Sequence, residues 1–140
     1  MIKYAAQIVY DKEDNCYNVS FPDLKGCFTY GETMEEAQHN AKEALSGYLE
    51  SLDMRKIKIP VPSKHNGKTL YYIKPEKNVS FAIWLKLKRQ EKGYTQKDMA
   101  NILNIKYQTY QRFENTQQSN PTLKTITKIE NVINEEIIRV

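Results

Sequence analysis

Over the first ten positions Ile2, Tyr4, Ala6, Ile8 and Tyr10 alternate with Lys3, Ala5, Gln7 and Val9. This is the period-two pattern of a strand with one better-buried face. The polar run 11–15 interrupts it, and Tyr17, Val19 and Phe21 then alternate with Cys16, Asn18 and Ser20, which predicts an antiparallel hairpin. Pro22 closes the second strand. Residues 22–26 carry turn chemistry, proline fixing φ and glycine allowing φ > 0, and residues 27–30 suffice for a short third strand ended by Gly31. The period changes at Thr33. Thr33 and Glu36 fit a capping box, and Met34, Ala37, Ala41, Leu45, Tyr48, Leu49 and Leu52 recur at three- and four-residue spacings. With Gln38, Lys42, Glu43, Ser46 and Glu50 opposite, they form the apolar stripe of a helix that packs on the sheet. Pro60 and Pro62 forbid its continuation, and Asn66-Gly67 turns the chain into a final strand, Leu70-Tyr71-Tyr72-Ile73. The predicted order is β-β-β-α-β.

Helical periodicity takes over in the second half. Lys74-Pro75-Glu76-Lys77-Asn78 is polar and contains a proline, and residues 75–79 read as a linker. Phe81, Trp84, Leu85 and Leu87 then start an amphipathic helix, with Asn78 or Ser80 as its cap and Gly93 as its left-handed stop. Thr95 caps a short helix with Asp98 near its positive end and an apolar face of Met99, Ile102 and Leu103. Asn104 stands where a tight turn wants φ > 0, Ile105 plugs the corner, and a further helix runs from Lys106 to Asn115. After Asn120-Pro121-Thr122, a last helix carries Leu123, Ile126, Ile129, Val132 and Ile133 as its stripe. The fold class expected is α+β: a small β-β-β-α-β domain over residues 1–74, the linker 75–79, and an all-α domain over 80–140.

The charge distribution supports the same division. Residues 1–74 hold ten Lys/Arg and ten Asp/Glu, whereas residues 75–140 hold eleven and seven, so the net charge of +4 lies in the second half. A basic half beside a neutral one suits a chain whose second domain meets phosphate and whose first meets protein or a small molecule. Neither an export signal nor a run of eighteen apolar residues is read in the sequence, so a cytoplasmic protein is expected. The two cysteines, Cys16 and Cys27, lack disulfide or zinc spacing and read as reduced side chains. No metal or other cofactor is expected.

The run from Phe21 to Ala37, Phe-Pro-Asp-Leu-Lys-Gly-Cys-Phe-Thr-Tyr-Gly-Glu-Thr-Met-Glu-Glu-Ala, continues into Asn40-Ala41-Lys42-Glu43-Ala44-Leu45. It closely resembles the signature of HicB-type antitoxins. The resemblance implies a partial ribonuclease H-like domain that binds and blocks a HicA-like toxin, a small messenger-RNA-cleaving protein. Asp11, Asp14, Asp23 and Glu32 are the carboxylates that a catalytic ribonuclease H reading would need for two metal ions. Two of them fall in a polar hairpin loop and one in a Pro-Asp turn, where solvated aspartates are common, so a structural role is favoured. His39 lies within the long helix and His65 in a loop, neither with a partner at a recognisable catalytic spacing. No enzymatic activity and no catalytic residue are expected. Tyr17, Phe28 and Tyr30 are the candidate toxin-covering side chains, since aromatics often anchor interfaces.

Thr95-Gln96, Met99-Ala100, Leu103-Asn104-Ile105, Tyr110, Phe113-Glu114-Asn115, Asn120-Pro121 and Leu123 closely resemble the phage-repressor (Cro/cI, or XRE) class of helix-turn-helix over about residues 80–133. Ala100 supplies the small residue needed where two helices cross. The resemblance implies an ion pair between Arg89 and Glu114 joining the first and third helices. It also implies base contacts from Tyr107, Gln108 and Arg112, flanked by Lys106 and Gln111, with Gln96 on a phosphate. Gln108 can pair bidentately with adenine and Arg112 with guanine. Two positions depart from the class, Asn104 and Thr116, where glycine is common. One module reads only a few base pairs, so a homodimer spanning two half-sites of double-stranded operator DNA is expected. Ile126, Ile129, Val132, Ile133, Ile137, Ile138 and Val140 are the candidate dimer interface, their alternative role being packing in the module's own core. Together the two resemblances imply an antitoxin that neutralises its toxin and represses its own operon. The rival is a stand-alone repressor with a ligand-sensing N-terminal domain.

Overall fold

The computed structural model describes residues 2–134; Ile137, Ile138 and Val140 of the candidate dimer interface lie outside the described residues. The chain divides into two compact units, residues 2–77 and a second that begins at Asn78.

The first unit is a four-stranded antiparallel sheet with one long helix on one face. Strands β1 (Tyr4–Asp11), β2 (Cys16–Ser20), β3 (Phe28–Gly31) and β4 (Leu70–Ile73) lie in the order β3-β2-β1-β4, and α1 (Met34–Met54) connects β3 towards β4. In the hairpin register Ile8 pairs with Val19 and Tyr10 with Tyr17; β3 extends it by pairing Val19 with Thr29 and Tyr17 with Gly31. Tyr4, Ala6, Ile8 and Val19 are at most 2% exposed, so one face of the pleat forms the core. The helix supplies the other side with Ala37, Ala41, Leu45, Leu49 and Leu52, all buried. Truncating a buried leucine such as Leu45 to alanine costs about 2–5 kcal/mol.

The start of α1 is fixed twice. The Thr33 hydroxyl accepts from the Glu36 N–H at 3.1 Å; the reciprocal bond from Glu36, which a full capping box requires, is absent among the described residues, so only half of the expected box forms. Gly31 then lets strand and helix touch, because a Cβ built there would stand 2.3 Å from the Ala37 nitrogen. Beyond Met54 the proline-bearing segment is tied down: Ile59 is buried, and the Tyr4 hydroxyl donates to the Pro60 carbonyl at 2.6 Å.

The second unit contains α2 (Lys77–Glu91), α3 (Gln96–Leu103), α4 (Tyr107–Phe113) and α5 (Leu123–Ile133). Helix α2 begins at Lys77, earlier than the periodicity suggests. Neither Asn78 nor Ser80 caps it: both lie inside the helix, the Asn78 amide donating to the Thr116 carbonyl at 2.8 Å and Ser80 being buried. The helix ends where Gly93 takes φ +76°. Thr95 and Asp98 form a complete capping box on α3. Asn104 closes α3 in the left-handed region at φ 55°, the conformation that asparagine tolerates better than most side chains. Thr116 is not left-handed but buried, with a hydroxyl that finds no partner among the described residues. Ile129 and Ile133 pack into the unit's own core, whereas Leu123, expected on the buried stripe, is 71% exposed. It sits in the first turn of α5, before the buried positions begin.

Among the described residues no helix is long and apolar enough to cross a membrane. No group of three or more histidine, cysteine, aspartate or glutamate side chains there is arranged to hold a metal ion.

Candidate functional site

The second unit presents α4 as an exposed reading face. Tyr110 is fully buried and Phe113 half-buried, while Lys106, Tyr107, Gln108, Gln111 and Arg112 are exposed. Helical geometry explains the division, since 107, 108, 111 and 112 lie one turn apart on one side and 110 and 113 on the other.

Behind this face lies one buried carboxylate. Glu114, whose side chain is 3% exposed, accepts from Arg89 Nε at 2.7 Å and Nη2 at 3.0 Å, from Gln96 Nε2 at 3.2 Å and from the Tyr110 hydroxyl. Arg89 Nη1 donates in turn to the Tyr94 carbonyl at 2.9 Å. Burial works against the charge of the guanidinium, but the hydrogen bonds and charge of Glu114 outweigh it and raise the Arg89 pKa. Burial, then the Glu114 charge, pushes the Tyr110 phenol upward, so Tyr110 acts as a donor. A single side chain thus joins α2, α3 and α4.

Gln96 and Tyr107 are brought together. Tyr107 donates to Gln96 Oε1 at 3.5 Å, so the Gln96 amide has its oxygen toward Tyr107 and one N–H toward Glu114, with a second N–H left over. Lys97, which sequence reasoning passed over, sets its Nζ 5.7 Å from the Tyr107 ring centroid. The signal was its place in the first turn of α3 beside Gln96. The capping box holds that turn, and the hydrogen bonds that the Asp98 carboxylate accepts from the Thr95 backbone N–H and hydroxyl lower its pKa.

In the first unit the sheet face away from α1 is open. Phe28 is 70% and Tyr30 62% exposed, and the register places both on that face with Val9 and Asn18. Tyr17 lies on the other face, half-buried, edge-on to Tyr10 at 5.0 Å between ring centroids. The three aromatics therefore do not form one patch.

The fold also assembles a cluster the sequence did not reveal. Asp23 accepts from the Ser63 N–H at 2.8 Å and the Ser63 hydroxyl at 2.5 Å, and His65 Nε2 lies 2.9 Å from Asp23 Oδ1 and 3.0 Å from Ser63 Oγ. Serine and aspartate meet the same imidazole nitrogen. A proton relay needs the carboxylate on one ring nitrogen and the hydroxyl on the other, so the cluster is a loop clamp rather than a nucleophile. Burial raises the Asp23 pKa, but the bonds from Ser63 and His65 together bring it below its ordinary value. His39 pairs with Glu43 on the exposed side of α1. Both cysteines are free and buried, and burial pushes the Cys27 thiol up to about 11.

A capped helix pair with an exposed α4, beside a separate small sheet-and-helix unit, defines a helix-turn-helix protein with an additional α+β domain. Residues 85–138 match the helix-turn-helix family. Residues 4–92 match the HicB-like antitoxin of bacterial toxin–antitoxin systems, and the chain belongs to that family. Both families are non-enzymatic. A UPF0150 protein of Thermoplasma acidophilum is 49% identical over 59 residues, 42% of this chain and 84% of that protein. An uncharacterised 14.9 kDa protein from the rep-hol intergenic region of Haemophilus phage HP1 is 47% identical over 45 residues, 32% of this chain and 34% of its own length; this chain thus spans about a third of it. Among solved structures, the N-terminal domain of Burkholderia pseudomallei antitoxin HicB is 25% identical, with a TM-score of 0.41 over 46% of this chain and 74% of that one. A toxin–antitoxin complex from Streptococcus pneumoniae is 19% identical, with a TM-score of 0.45 over 71% of this chain and 94% of that one.

Proposed function

We propose that this chain is the cytoplasmic antitoxin of a two-gene toxin–antitoxin pair. Its first unit binds and neutralises a HicA-like messenger-RNA-cleaving toxin, and its second represses the shared operon as a homodimer on operator DNA. The observation that carries the reading is the coexistence, in one chain, of the HicB-like family match and an exposed α4. Neutralisation works by occlusion: Phe28 and Tyr30 on the open sheet face cover the toxin's active surface. In repression, Gln108 and Arg112 read adenine and guanine edges, Tyr107, Lys106 and Gln111 flank them, and the spare N–H of Gln96 meets a phosphate.

Co-expression with the small protein encoded beside it tests the first half. Stable co-purification with rescue of growth is expected; a neighbour that neither binds nor harms growth refutes the antitoxin role and favours a ligand-responsive repressor. For the second half, Gln108→Ala and Arg112→Ala are each expected to weaken binding to the DNA upstream of the gene by about 5- to 150-fold, the value of about 1–3 kcal/mol for one bidentate base contact. Unchanged binding in a gel-shift titration of both variants refutes α4 as the reading helix.

A further inference from the structure

The first half of the chain is neutral only in sum. Residues 1–53 hold four lysines against ten acidic residues, whereas residues 54–75 hold six Lys/Arg and no acidic residue. The fold separates these charges in part: Asp23, Glu50 and Asp53 share the end that holds the cations, and the other acidic residues lie away from it. Asp11, Glu13 and Asp14 lie at the β1–β2 turn, and the register that pairs Asp11 with Cys16 and Tyr17 with Gly31 puts Glu32 at that same end of the sheet. Helix α1 starts there and carries the chain away over 21 residues, about 30 Å, delivering Arg55, Lys56, Lys58 and Lys64 to the opposite end.

That end is built rather than loose. The Asp23–Ser63–His65 clamp fastens the segment bearing Lys58 and Lys64 to the turn bearing Lys25. Tyr48 of α1 donates to the Lys25 carbonyl at 2.8 Å, and Tyr4 fixes Pro60. Lys25, Arg55, Lys56, Lys58 and Lys64 are all exposed, and none forms an ion pair with a carboxylate among the described residues. Five cations at this end without a carboxylate partner among the described residues suit a polyanion, because each phosphate neutralised releases condensed counterions.

We infer that this end of the first unit is a second nucleic-acid contact, which grips the phosphate backbone of duplex DNA. The inference rests on the DNA-binding reading of the second unit. Duplex rather than single-stranded nucleic acid is favoured by the side chains around the cations. Single strands are held by bases stacking on aromatic rings, but the exposed apolar residues here are Met54, Ile57 and Val61. The neighbouring aromatic, Tyr72, has Lys3 Nζ 4.9 Å from its ring centroid. A surface with several cations and one exposed ring, already faced by Lys3, reads backbone without sequence.

The test uses the full chain carrying Lys25→Gln, Lys56→Asn, Lys58→Gln and Lys64→Gln, asparagine being chosen because residue 56 has φ 55°. Binding to a random-sequence duplex of roughly 40 base pairs is titrated across salt concentrations, and preference for the upstream DNA is measured beside it. The slope of log affinity against log salt should fall in magnitude by about 2 to 3.6, near 0.9 for each phosphate no longer neutralised, while the preference for upstream DNA survives. An unchanged slope overturns the inference, and loss of preference in Arg112→Ala would show that the α4 reading still stands. A fall confined to single-stranded RNA of the same length also overturns it. If the unmodified chain binds no DNA, the reading of α4 fails as well. Should the quadruple variant unfold, the pairs Lys25/Lys64 and Lys56/Lys58 are tested separately, each expected to lower the slope by about 1 to 1.8.

Discussion

Replacing Glu114 with alanine removes an acceptor shared by Arg89, Gln96 and Tyr110. The side chains of Glu114 and Arg89 are 3% and 11% exposed, so little water replaces the missing carboxylate. Deleting one member of a buried ion pair costs about 3–5 kcal/mol, and the Tyr110 hydroxyl, orphaned in a fully buried residue, adds about 1–3 kcal/mol. A core below about 70 residues rarely supplies more than about 3–5 kcal/mol in total, so the loss matches the whole stability of the second unit. Trp84, the chain's single tryptophan, is 6% exposed in α2 of this unit. In a urea titration followed by Trp84 fluorescence, Glu114→Ala should show no folded baseline or a midpoint lowered by about 3 M or more, taking a slope near 1 kcal/mol per molar. A shift below about 1 M would refute the claim that this carboxylate joins the three helices. Arg89→Met with Glu114→Leu removes both charges and should recover much of the loss, because a well-packed apolar pair does not leave a buried charge unmatched.

Two further outcomes follow in the first unit. Gly31→Ala places a Cβ against the backbone nitrogen of Ala37 at 2.3 Å, an atom that no rotamer change can move. It should cost about 3 kcal/mol or more, read as a lower melting temperature by far-UV circular dichroism. Asp23 has a lowered folded pKa, so its stabilising contribution is fully present above the unfolded value of about 3.9 and is lost as pH falls through the folded one. Asp23→Asn should therefore reduce stability at pH 7 and flatten the fall below about pH 4; an acid limb as steep as that of the unmodified chain would rule out Asp23 as its source.

What the sequence conveyed and what it withheld divide by distance along the chain. The alternation of Tyr4, Ala6 and Ile8, the stripe from Ala37 to Leu52, the Thr95 cap and the left-handed turn at Asn104 are all local. Each is decided by residues within a turn or two, and each was legible. The start of α2 was not, because Lys77 and Asn78 look like linker until Thr116, 38 residues away, takes the Asn78 amide. The Asp23–His65 contact spans 42 positions and was hidden for the same reason: the Ser-x-His spacing is visible, the carboxylate that meets it is not. The polarity of the first unit escaped for another reason, since a sum of charges cancels what the direction of α1 separates.

The α4 face shows how the two kinds of information combine. Spacing alone offered Tyr107, Gln108 and Arg112 equally as readers of bases. In the folded chain the Tyr107 hydroxyl is engaged by Gln96 Oε1 and its ring by Lys97, so donating to a base would break the bond to Gln96. Gln108 and Arg112 are exposed and have no such tie among the described residues. On the proposed reading, bidentate recognition therefore falls to Gln108 and Arg112. Tyr107 instead sets the Gln96 amide, whose remaining N–H then meets phosphate in a fixed orientation, and a Tyr107→Phe change would act on positioning before it acted on sequence preference.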